Sequence, residues 1–402
     1  MSWYYYIAWA AILGQILFLW QCCRNYRYAL GKYRKKRHWH ELRAALIVPC
    51  KGLDSDFRRN ITSFFDQDYP HYVLCFVVAD KSDPAYGELC NLKEHLSAGS
   101  RAKEVRVLVA GQGRSCSQKI HNLLYCCERV AGEVEILAFA DSDICVRNDW
   151  LSHLVWPLRK SGNGAASGYR WYIPKKNNPA SLALSAVNGK VAQLLGHSQF
   201  NQAWGGSMAI RVEMFREAGV DKIWPKALSD DFSLTYAVKK AGKNVIFVPA
   251  CLVASYESTT WAGLFEFGRR QFLITRVCAP LTWWFGLLSS IYSVLGLWAG
   301  AALGVYAGIT GAEHAALYAA VPVVFLAGQL VRAIMRQKMI SKLLEKDLPK
   351  MKYAMIADIL GCWLWSLLLL LLILSSAFGR TITWRGIRYK LLGPTETVVL
   401  GS

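Results

Sequence analysis

Four long apolar segments determine what this chain can fold into. They cover residues 3–20, about 281–309, 314–334 and 355–378. Each is long enough to cross a bilayer as a helix that rises about 1.5 Å per residue. The chain has 402 residues, of which 53% are hydrophobic, and its 16 Trp, 19 Tyr and 16 Phe exceed the usual content of a soluble protein. The sequence therefore predicts a multi-pass membrane protein with a soluble part.

The positive charge lies beside these apolar segments. The formal charge is +19, and the densest basic runs are residues 34–37, after the first apolar segment, and 332–352, after the third. Basic residues at membrane ends favour the cytoplasmic side. We therefore predict a retained N-terminal anchor, because no charge precedes the apolar run and no cleavage site follows it. Nucleic-acid binding is not expected, because its basic residues would line a groove in the soluble domain.

Short apolar runs between residues 42 and 253 indicate an α/β domain. Five runs of β-branched and aliphatic residues are separated by polar, helix-like segments: AALIVPC, YVLCFVVAD, VRVLVAG, VEILAFAD and NVIFVPA. Continuous runs of this length are typical of strands buried on both faces of a mostly parallel sheet. The prediction is a Rossmann-like catalytic domain, whose ligands bind beyond the carboxyl ends of its strands.

These patterns divide the chain into five parts. They are an N-terminal anchor (1–24), a catalytic domain (41–255), an interfacial amphipathic helix (256–280), about three C-terminal membrane segments (281–379) and a basic tail (380–402). Three crossings after a cytoplasmic domain would leave the basic tail outside, against the positive-inside tendency. Either one segment is re-entrant or the tail departs from that tendency.

Acidic residues end or follow three apolar runs. They are Asp80 with Asp83, Asp141 with Asp143, and the pair Asp230 and Asp231. Two carboxylates one residue apart, beyond a strand, can hold Mg²⁺ or Mn²⁺ and leave positions open for diphosphate oxygens. Sugar transfer also needs a grip on the nucleotide and a base for the acceptor hydroxyl. Asp80 is the candidate for the nucleotide, and Asp231 is the candidate for the proton.

Structural roles for the same residues remain open at this stage. An isolated Asp-x-Asp is often a turn or a helix cap, and Asp230 and Asp231 could begin the helix that follows them. The 12 cysteines include no Cys-x-x-Cys and no Cys/His spacing of the kind that holds zinc. Neither a disulfide framework nor a zinc site is predicted.

The acidic motifs resemble those of GT-A inverting glycosyltransferases of family two, most closely the ceramide glucosyltransferase branch. That family shows the pattern D, D-x-D, D, (Q/R)-x-x-R-W, and the first three parts match Asp80, Asp141 with Asp143, and Asp230 with Asp231. Further similarities cover nearly the whole chain: residues 51–54, 64–70, 82–84, 119–123 and 384–389. The closing Arg-Trp is absent, since Gln271 and Phe272 follow Arg269 and Arg270.

The resemblance implies roles for individual residues. It implies a UDP-sugar donor, inversion at the anomeric carbon, Asp231 as the general base, and Asp141 and Asp143 as the site of a divalent metal, Mg²⁺ or Mn²⁺. Further substrate-binding candidates are two lysines that suit phosphates, a Trp-Gly-Gly segment before the base, an acid beside it, a histidine and the Arg-rich segment: Lys51, Lys119, Trp204, Gly205, Gly206, Asp230, His197, Arg270, Gln271 and Arg276.

The predicted activity is transfer of a hexose, glucose from UDP-glucose, to a ceramide-like lipid. Alternatives are transfer to a hopanoid, a diacylglycerol or a polyprenyl phosphate, and, from another class, an inactive membrane scaffold. A processive polysaccharide synthase is disfavoured because the intact Gln-x-x-Arg-Trp is missing. The expected location is a bacterial inner membrane with a cytoplasmic catalytic domain, and a Golgi membrane is the alternative, since no C-terminal retrieval signal is present.

Overall fold

The structure is a computed structural model that describes residues 2–35, 42–54, 56–113, 115–384 and 386–401. Lys36 and Arg37 of the predicted basic run, residue 41 at the predicted domain start, and Arg385 of the C-terminal motif lie outside the described residues.

A seven-stranded sheet with the order β3-β2-β1-β4-β6-β5-β7 forms the centre of the soluble part. Its strands are β1 (Ala44–Pro49), β2 (Tyr72–Val78), β3 (Glu104–Val109), β4 (Ile136–Ala140), β5 (Asn163–Pro174), β6 (Ser207–Arg211) and β7 (Asn244–Glu257). All pairs are parallel except those that β6 forms with β4 and β5. The predicted α/β class with a mostly parallel sheet is confirmed, and β5 and β6 are additions to the five predicted strands.

Both faces of the sheet are buried, which explains the continuous apolar runs. On β1, Leu46 and Val48 belong to one hydrophobic core, while Ala45 and Ile47 belong to the core on the opposite face. The covering helices are α2 (Phe57–Thr62), α3 (Pro84–Leu96), α4 (Gln118–Val130), α5 (Trp150–Val155), α6 (Pro179–Ala192), α7 (Val212–Glu217), α8 (Val220–Ile223) and α9 (Asp230–Lys240).

Side-chain caps start α3, α4 and α9. Asp83, Ser117 and Ser229 each accept a hydrogen bond from a backbone N–H in the first turn of the helix that follows. Such capping satisfies N–H groups that the helix itself leaves unpaired. The caps fix where Lys119 and the pair Asp230 and Asp231 lie, since these residues occupy first turns.

Three helical segments in the described residues are long and apolar enough to cross a membrane: Trp3–Tyr33, Pro280–Ile309 and Ala315–Leu343. The first belongs to α1 (Ser2–Tyr33) and the third is α13 (Ala315–Leu343). The second comprises α11 (Pro280–Val294), a π-helical turn (Leu295–Ala299) and α12 (Gly300–Ile309), and α10 (Trp261–Cys278) precedes it.

The last predicted segment, residues 355–378, is not one straight helix. It falls on α14 (Leu348–Leu360) and α15 (Cys362–Ser375), which meet at Gly361 with a bend of 88°. The 14 residues of α15 reach only about 21 Å, less than the hydrocarbon thickness of about 30 Å.

A second sheet follows α15 and packs against the catalytic domain. Its antiparallel strands are β8 (Thr381–Trp384), β9 (Ile387–Leu391) and β10 (Thr397–Gly401). Tyr389 and Leu391 share a hydrophobic cluster with Leu228, which lies just before α9. At the other end, Met351 of α14 packs with Ile173 of β5.

The segment formed by α14 and α15 therefore begins and ends on the side of the catalytic domain. The basic tail lies against that domain. The bent pair is either a broken span or a re-entrant loop, and the re-entrant loop is the alternative that fits the positive-inside tendency.

Candidate active site

The carboxyl ends of β1, β2 and β4 bring three predicted residues to one edge of the sheet. Lys51 and Asp80 lie just beyond β1 and β2 and are exposed, whereas Asp141 follows β4 and is half-buried. Because these strands are parallel neighbours, their ends open on the crevice where such sheets bind ligands.

Four carboxylates, which we call the acid cluster, meet at this edge: Asp141, Asp143, Asp230 and Asp231. Lys119 joins two of them, since its Nζ lies 2.8 Å from Asp141 Oδ1 and 2.9 Å from Asp230 Oδ2. Burial tends to lower the pKa of Lys119, but Asp141 and Asp230 outweigh it and hold that pKa above its ordinary value. Lys119 is therefore a charged bridge between the start of α9 and the end of β4.

Asp230 is the buried member of the acid cluster, with 5% of its surface exposed. Burial raises the pKa of this carboxyl more than the Lys119 ammonium lowers it, and Asp231 and Asp141 raise it further. A carboxylate that is both buried and held in an ion pair is poorly placed to receive a proton from a substrate. Its geometry suits a positioning role.

Asp231 has a different environment from its neighbour. Its Oδ2 accepts a hydrogen bond of 3.2 Å from the N–H of Gly205. Its Oδ1 accepts one of 2.7 Å from the N–H of Phe232 and another from the hydroxyl of Ser229. Asp231 is half-buried and forms no ion pair within the described ranges. Of the two adjacent acids, Asp231 is the more exposed to solvent.

Gly205 and Gly206 lie directly against the acid cluster. A Cβ atom on Gly205 would lie 2.3 Å from Asp230 Oδ2, and one on Gly206 would lie 2.7 Å from Asp141 Oδ2. The same Gly206 Cβ would lie 2.2 Å from the ring of the buried Trp204. Both positions therefore require glycine because of close approach and not because of a turn conformation.

Arg170, on β5, is a site residue that the sequence interpretation missed. Its guanidinium lies 4.7 Å from the centre of the Trp204 ring and 3.8 Å from Asp141 Oδ2, and it donates a 3.0 Å hydrogen bond to the hydroxyl of Tyr172. The available signal was an arginine inside the aromatic run 169–172. Arg170 supplies a second cation at the acid cluster.

A divalent cation fits at Asp141 and Asp143, because carboxylate oxygens are ligands that such cations prefer. Asp143 opens to solvent at the surface, but protein atoms crowd its carboxyl, and this partial burial together with Asp141 raises its pKa. No group of three His, Cys, Asp or Glu residues suited to a metal occurs in the described ranges. Mg²⁺ is commonly held by one or two carboxylates together with substrate phosphates. The pair therefore suits a metal site in which substrate phosphates would provide further ligands.

Asp80 and Asp83 differ in role although they are close in sequence. Asp83 Oδ1 accepts hydrogen bonds from the N–H of Ala85 at 2.9 Å and of Gly52 at 2.8 Å, so it caps α3 and secures the loop after β1. Asp80 Oδ1 accepts a 2.8 Å hydrogen bond from the N–H of Ser82, which lowers the pKa of Asp80. Asp80 is ionised and open to solvent at the crevice.

The remaining predicted residues lie in two other places. His197 is exposed, and its ring centre lies 6.1 Å from that of Tyr28 on α1. On α10, Arg276 donates to the carbonyl of Gly379, Arg270 stacks 5.7 Å from the ring of Phe267, and Gln271 is exposed. Arg276 therefore binds the segment before β8 and Arg270 lies over a ring of its own helix, although α10 itself packs against α9.

Comparison with known proteins identifies the family. The family model described as Glycosyl transferase family 21 matches residues 5–396. The chain belongs to glycosyl transferase family 21. This family 21 glycosyltransferase has a mostly parallel sheet and candidate membrane helices. The resemblance is thus confirmed for a glycosyltransferase, and the matching model is that of family 21, not family two.

Solved glycosyltransferases show distant similarity. A mannosyltransferase, PcManGT from Pyrobaculum calidifontis, in complex with GDP-Man and Mn²⁺, is 13% identical with a TM-score of 0.42, over 92% of this chain and 97% of that one. GalNAc-T7 with UDP, GalNAc and Mn²⁺ is 14% identical with a TM-score of 0.35, over 57% of this chain and 48% of that one.

Proposed function

We propose that this family 21 glycosyltransferase transfers glucose from UDP-glucose to the hydroxyl of a ceramide-like lipid, with inversion at the anomeric carbon. The observation that carries the proposal is the contrast within the pair of acids that begins α9. Asp230 is buried and paired with Lys119, whereas Asp231 is half-buried and free of ion pairs in the described residues. One acid is positioned and its neighbour is available as a base.

In the proposed reaction the acceptor oxygen attacks the anomeric carbon. A new C–O bond forms, the bond from that carbon to the diphosphate oxygen breaks, UDP leaves, and the hydroxyl proton passes to Asp231. The N–H of Gly205, bonded to Oδ2 of Asp231, orients the carboxylate toward the acceptor. When bound at Asp141 and Asp143, Mg²⁺ or Mn²⁺ supplies charge neutralisation for the leaving diphosphate.

Other residues of the crevice bind the donor in this proposal. Asp80 contacts the nucleoside, and Lys51 and Lys119 lie where cations suit phosphates. Arg170 adds a guanidinium near Asp141. This role replaces the one that the sequence pattern gave to Arg270, Gln271 or Arg276, because Arg170 lies at the acid cluster and Arg276 binds the carbonyl of Gly379.

The neighbourhood of the site favours a lipid acceptor. The helix that carries Asp231 packs against α10, which leads directly into the membrane span Pro280–Ile309. A lipid hydroxyl can thus approach along α10 while its tail stays in the bilayer. We propose that His197, beside α1, lies on the acceptor side of this path. We also propose that the catalytic domain lies on the cytoplasmic face of a bacterial inner membrane.

The test is UDP release by the purified full-length chain in detergent. The donors are UDP-glucose and UDP-galactose, and the acceptors are ceramide, diacylglycerol or none, each with and without EDTA. We expect release only with UDP-glucose, ceramide and metal, and a loss of at least about 100-fold in Asp231→Asn, because a general base contributes about 10²–10⁴-fold.

The matched control is Asp66→Asn, a carboxylate with 71% of its side chain exposed, outside the acid cluster. It should keep wild-type turnover, because exposed ion pairs contribute little. Full turnover by Asp231→Asn would reject the assignment of the base. Turnover with diacylglycerol and not with ceramide would keep the reaction and replace the acceptor.

A further inference from the structure

A small polar cavity lies where the catalytic domain meets the membrane helices. It is enclosed by α6 of the catalytic domain and by α1, α11, α13 and α15, and residues from each line it: Lys190, Cys22, Ser290, Arg332 and Ser366. The centre of a water molecule can occupy a volume of about 50 Å³ in this cavity. Since one water needs about 10–15 Å³ on that measure, several waters or the oxygens of one phosphate fit.

The charges around this cavity do not balance. Three cations, Lys190, Arg332 and Arg336, line it. Among the described residues, the single acid that forms an ion pair with any of them is Asp358, which is 1% exposed and accepts from Nε of Arg336 at 2.5 Å and from Gln337 at 2.6 Å. Arg336 and Asp358 neutralise each other, so that the buried polar site carries a formal charge of about +2 when Lys190 and Arg332 are both protonated.

Two cations of the cavity lack a carboxylate partner, and one amide nitrogen lacks a hydrogen-bond partner. Lys190 Nζ donates to Ser366 Oγ at 2.7 Å, and Arg332 Nε donates at 3.3 Å to a carbonyl of its own helix. Neither Lys190 nor Arg332 forms an ion pair in the part of the chain that the structure describes. Within the same part, Nε2 of Gln329 has no hydrogen-bond partner although this residue is only 2% exposed. Buried donors of this kind are costly unless an acceptor reaches them.

Lys190, which belongs to the catalytic domain, is surrounded by the other two cations of the cavity. Burial, together with the nearby Arg332 and Arg336, holds the pKa of Lys190 well below its ordinary value. Three cations that crowd one space repel each other. An anion bound between them would relieve the repulsion.

The length of the candidate membrane helix α13 indicates that the cavity lies at the depth of lipid headgroups. α13 starts at the far membrane surface, where residues 310–314 join it to α12. Arg332 and Arg336 follow its first residue, Ala315, by about 26 Å and about 32 Å along the helix axis. The hydrocarbon layer is about 30 Å thick, so these guanidinium groups lie at the boundary on the catalytic side.

We propose that this cavity binds a phosphate group, carried by an anionic phospholipid that docks between the membrane helices. Guanidinium, ammonium, amide and hydroxyl donors together match the oxygens of a phosphate, and basic pockets between membrane helices on the cytoplasmic side bind lipid headgroups. No member of the acid cluster lines the cavity. The inference therefore does not depend on the sugar or the acceptor proposed above.

The experiment measures thermal unfolding of the delipidated full-length protein in neutral detergent, titrated with three probes. Dioleoyl phosphatidylglycerol carries both phosphate and tails, dioleoylglycerol carries the tails alone, and inorganic phosphate carries the anion alone. The variants are Arg332→Gln and Lys190→Gln. The matched control is Lys338→Gln, an exposed cation on the same helix as Arg332.

We expect phosphatidylglycerol to raise the unfolding midpoint of the wild type and dioleoylglycerol to leave it unchanged. Each cavity variant should weaken the apparent affinity about tenfold or more, as expected for losing a charge-assisted hydrogen bond, and Lys338→Gln should behave like wild type. An equal shift with inorganic phosphate would identify the free anion as the ligand.

Equal shifts from phosphatidylglycerol and dioleoylglycerol in the wild type would overturn the proposal without any variant. Wild-type affinity in both cavity variants would overturn it too. The variants remain informative on folding, because each removes a cation that lacks a carboxylate partner. Without phosphate, their midpoints should equal or exceed that of the wild type.

Discussion

The acid cluster and the cavity between the membrane helices both gather several charged side chains, but the excess charge has opposite sign. In the acid cluster, Asp141, Asp143, Asp230 and Asp231 face two cations, Lys119 and Arg170. In the cavity, Lys190, Arg332 and Arg336 face one acid, Asp358. Each site keeps an internal ion pair and an excess of one sign.

The difference shows what each site is prepared to receive. A surplus of carboxylates suits a cation, and a surplus of guanidinium and ammonium groups suits an anion. In each site the minority charge holds the rest together, namely Lys119 in the acid cluster and Asp358 in the cavity. Removal of the minority charge should therefore destabilise the protein, whereas removal of a surplus charge should not.

The largest expected effect is that of Asp358→Asn. This change leaves Arg336 without a carboxylate among further unpaired cations, and breaking a fully buried pair costs about 3–5 kcal/mol. Arg332→Gln, which removes a surplus charge from the same cavity, should leave the free energy of unfolding close to that of wild type or higher. Denaturant unfolding of the protein in detergent measures both, and equal stabilities of the two variants would refute the contrast.

A smaller effect is expected for Lys119→Met in the acid cluster. The change leaves Asp141 and Asp230 without their shared ammonium, but the lysine side chain is 20% exposed, so solvent screens part of the loss. We expect about 2–3 kcal/mol. Asp143→Asn removes a surplus charge and should cost less than about 0.5 kcal/mol, measured by the same unfolding assay. If Asp143→Asn were the more damaging change, the cluster would not be organised around Lys119.

The sequence predicts those parts of the fold whose signal is local. Strands buried on both faces leave unbroken apolar runs, and an acid directly after such a run, as with Asp141 after β4, is placed at the crevice by the run alone. In β5 the run is interrupted by Gly168 and Arg170. A Cβ on Gly168 would lie 2.0 Å from the carbonyl oxygen of Cys251, so this glycine serves a close approach that only the folded sheet reveals.

Ion pairs between residues far apart in the chain could not be predicted from the sequence, because they too form only in the folded protein. Nothing near Lys119 indicates that it bridges Asp141 and Asp230, and nothing near Asp358 points to Arg336, which precedes it by 22 positions. The tail after residue 379 is basic, yet its Ile382, Tyr389 and Leu391 are buried against the catalytic domain. Apolar residues two positions apart, as in Tyr389 and Leu391, are the strand pattern that this basic segment contains.

The last effect on stability concerns packing and not charge in the acid cluster, and it is expected to be comparable to that of Lys119→Met or smaller. In Gly206→Ala the new Cβ would lie 2.2 Å from the ring of the buried Trp204 and 2.7 Å from Asp141 Oδ2, and overpacking of this kind costs about 1–3 kcal/mol. The matched control is Gly132→Ala, whose Cβ would meet nothing within 4 Å.

UDP release separates the consequence for chemistry from that for folding. Displacing Asp141 by about 1 Å should lower turnover about 100-fold, in a protein that still unfolds cooperatively, while Gly132→Ala keeps wild-type turnover. Full activity of Gly206→Ala would mean that Trp204 and Asp141 move aside at no cost. The geometry of the acid cluster would then depend on its ion pairs alone. In that case charge balance, without packing, would determine the arrangement of side chains in both the acid cluster and the cavity.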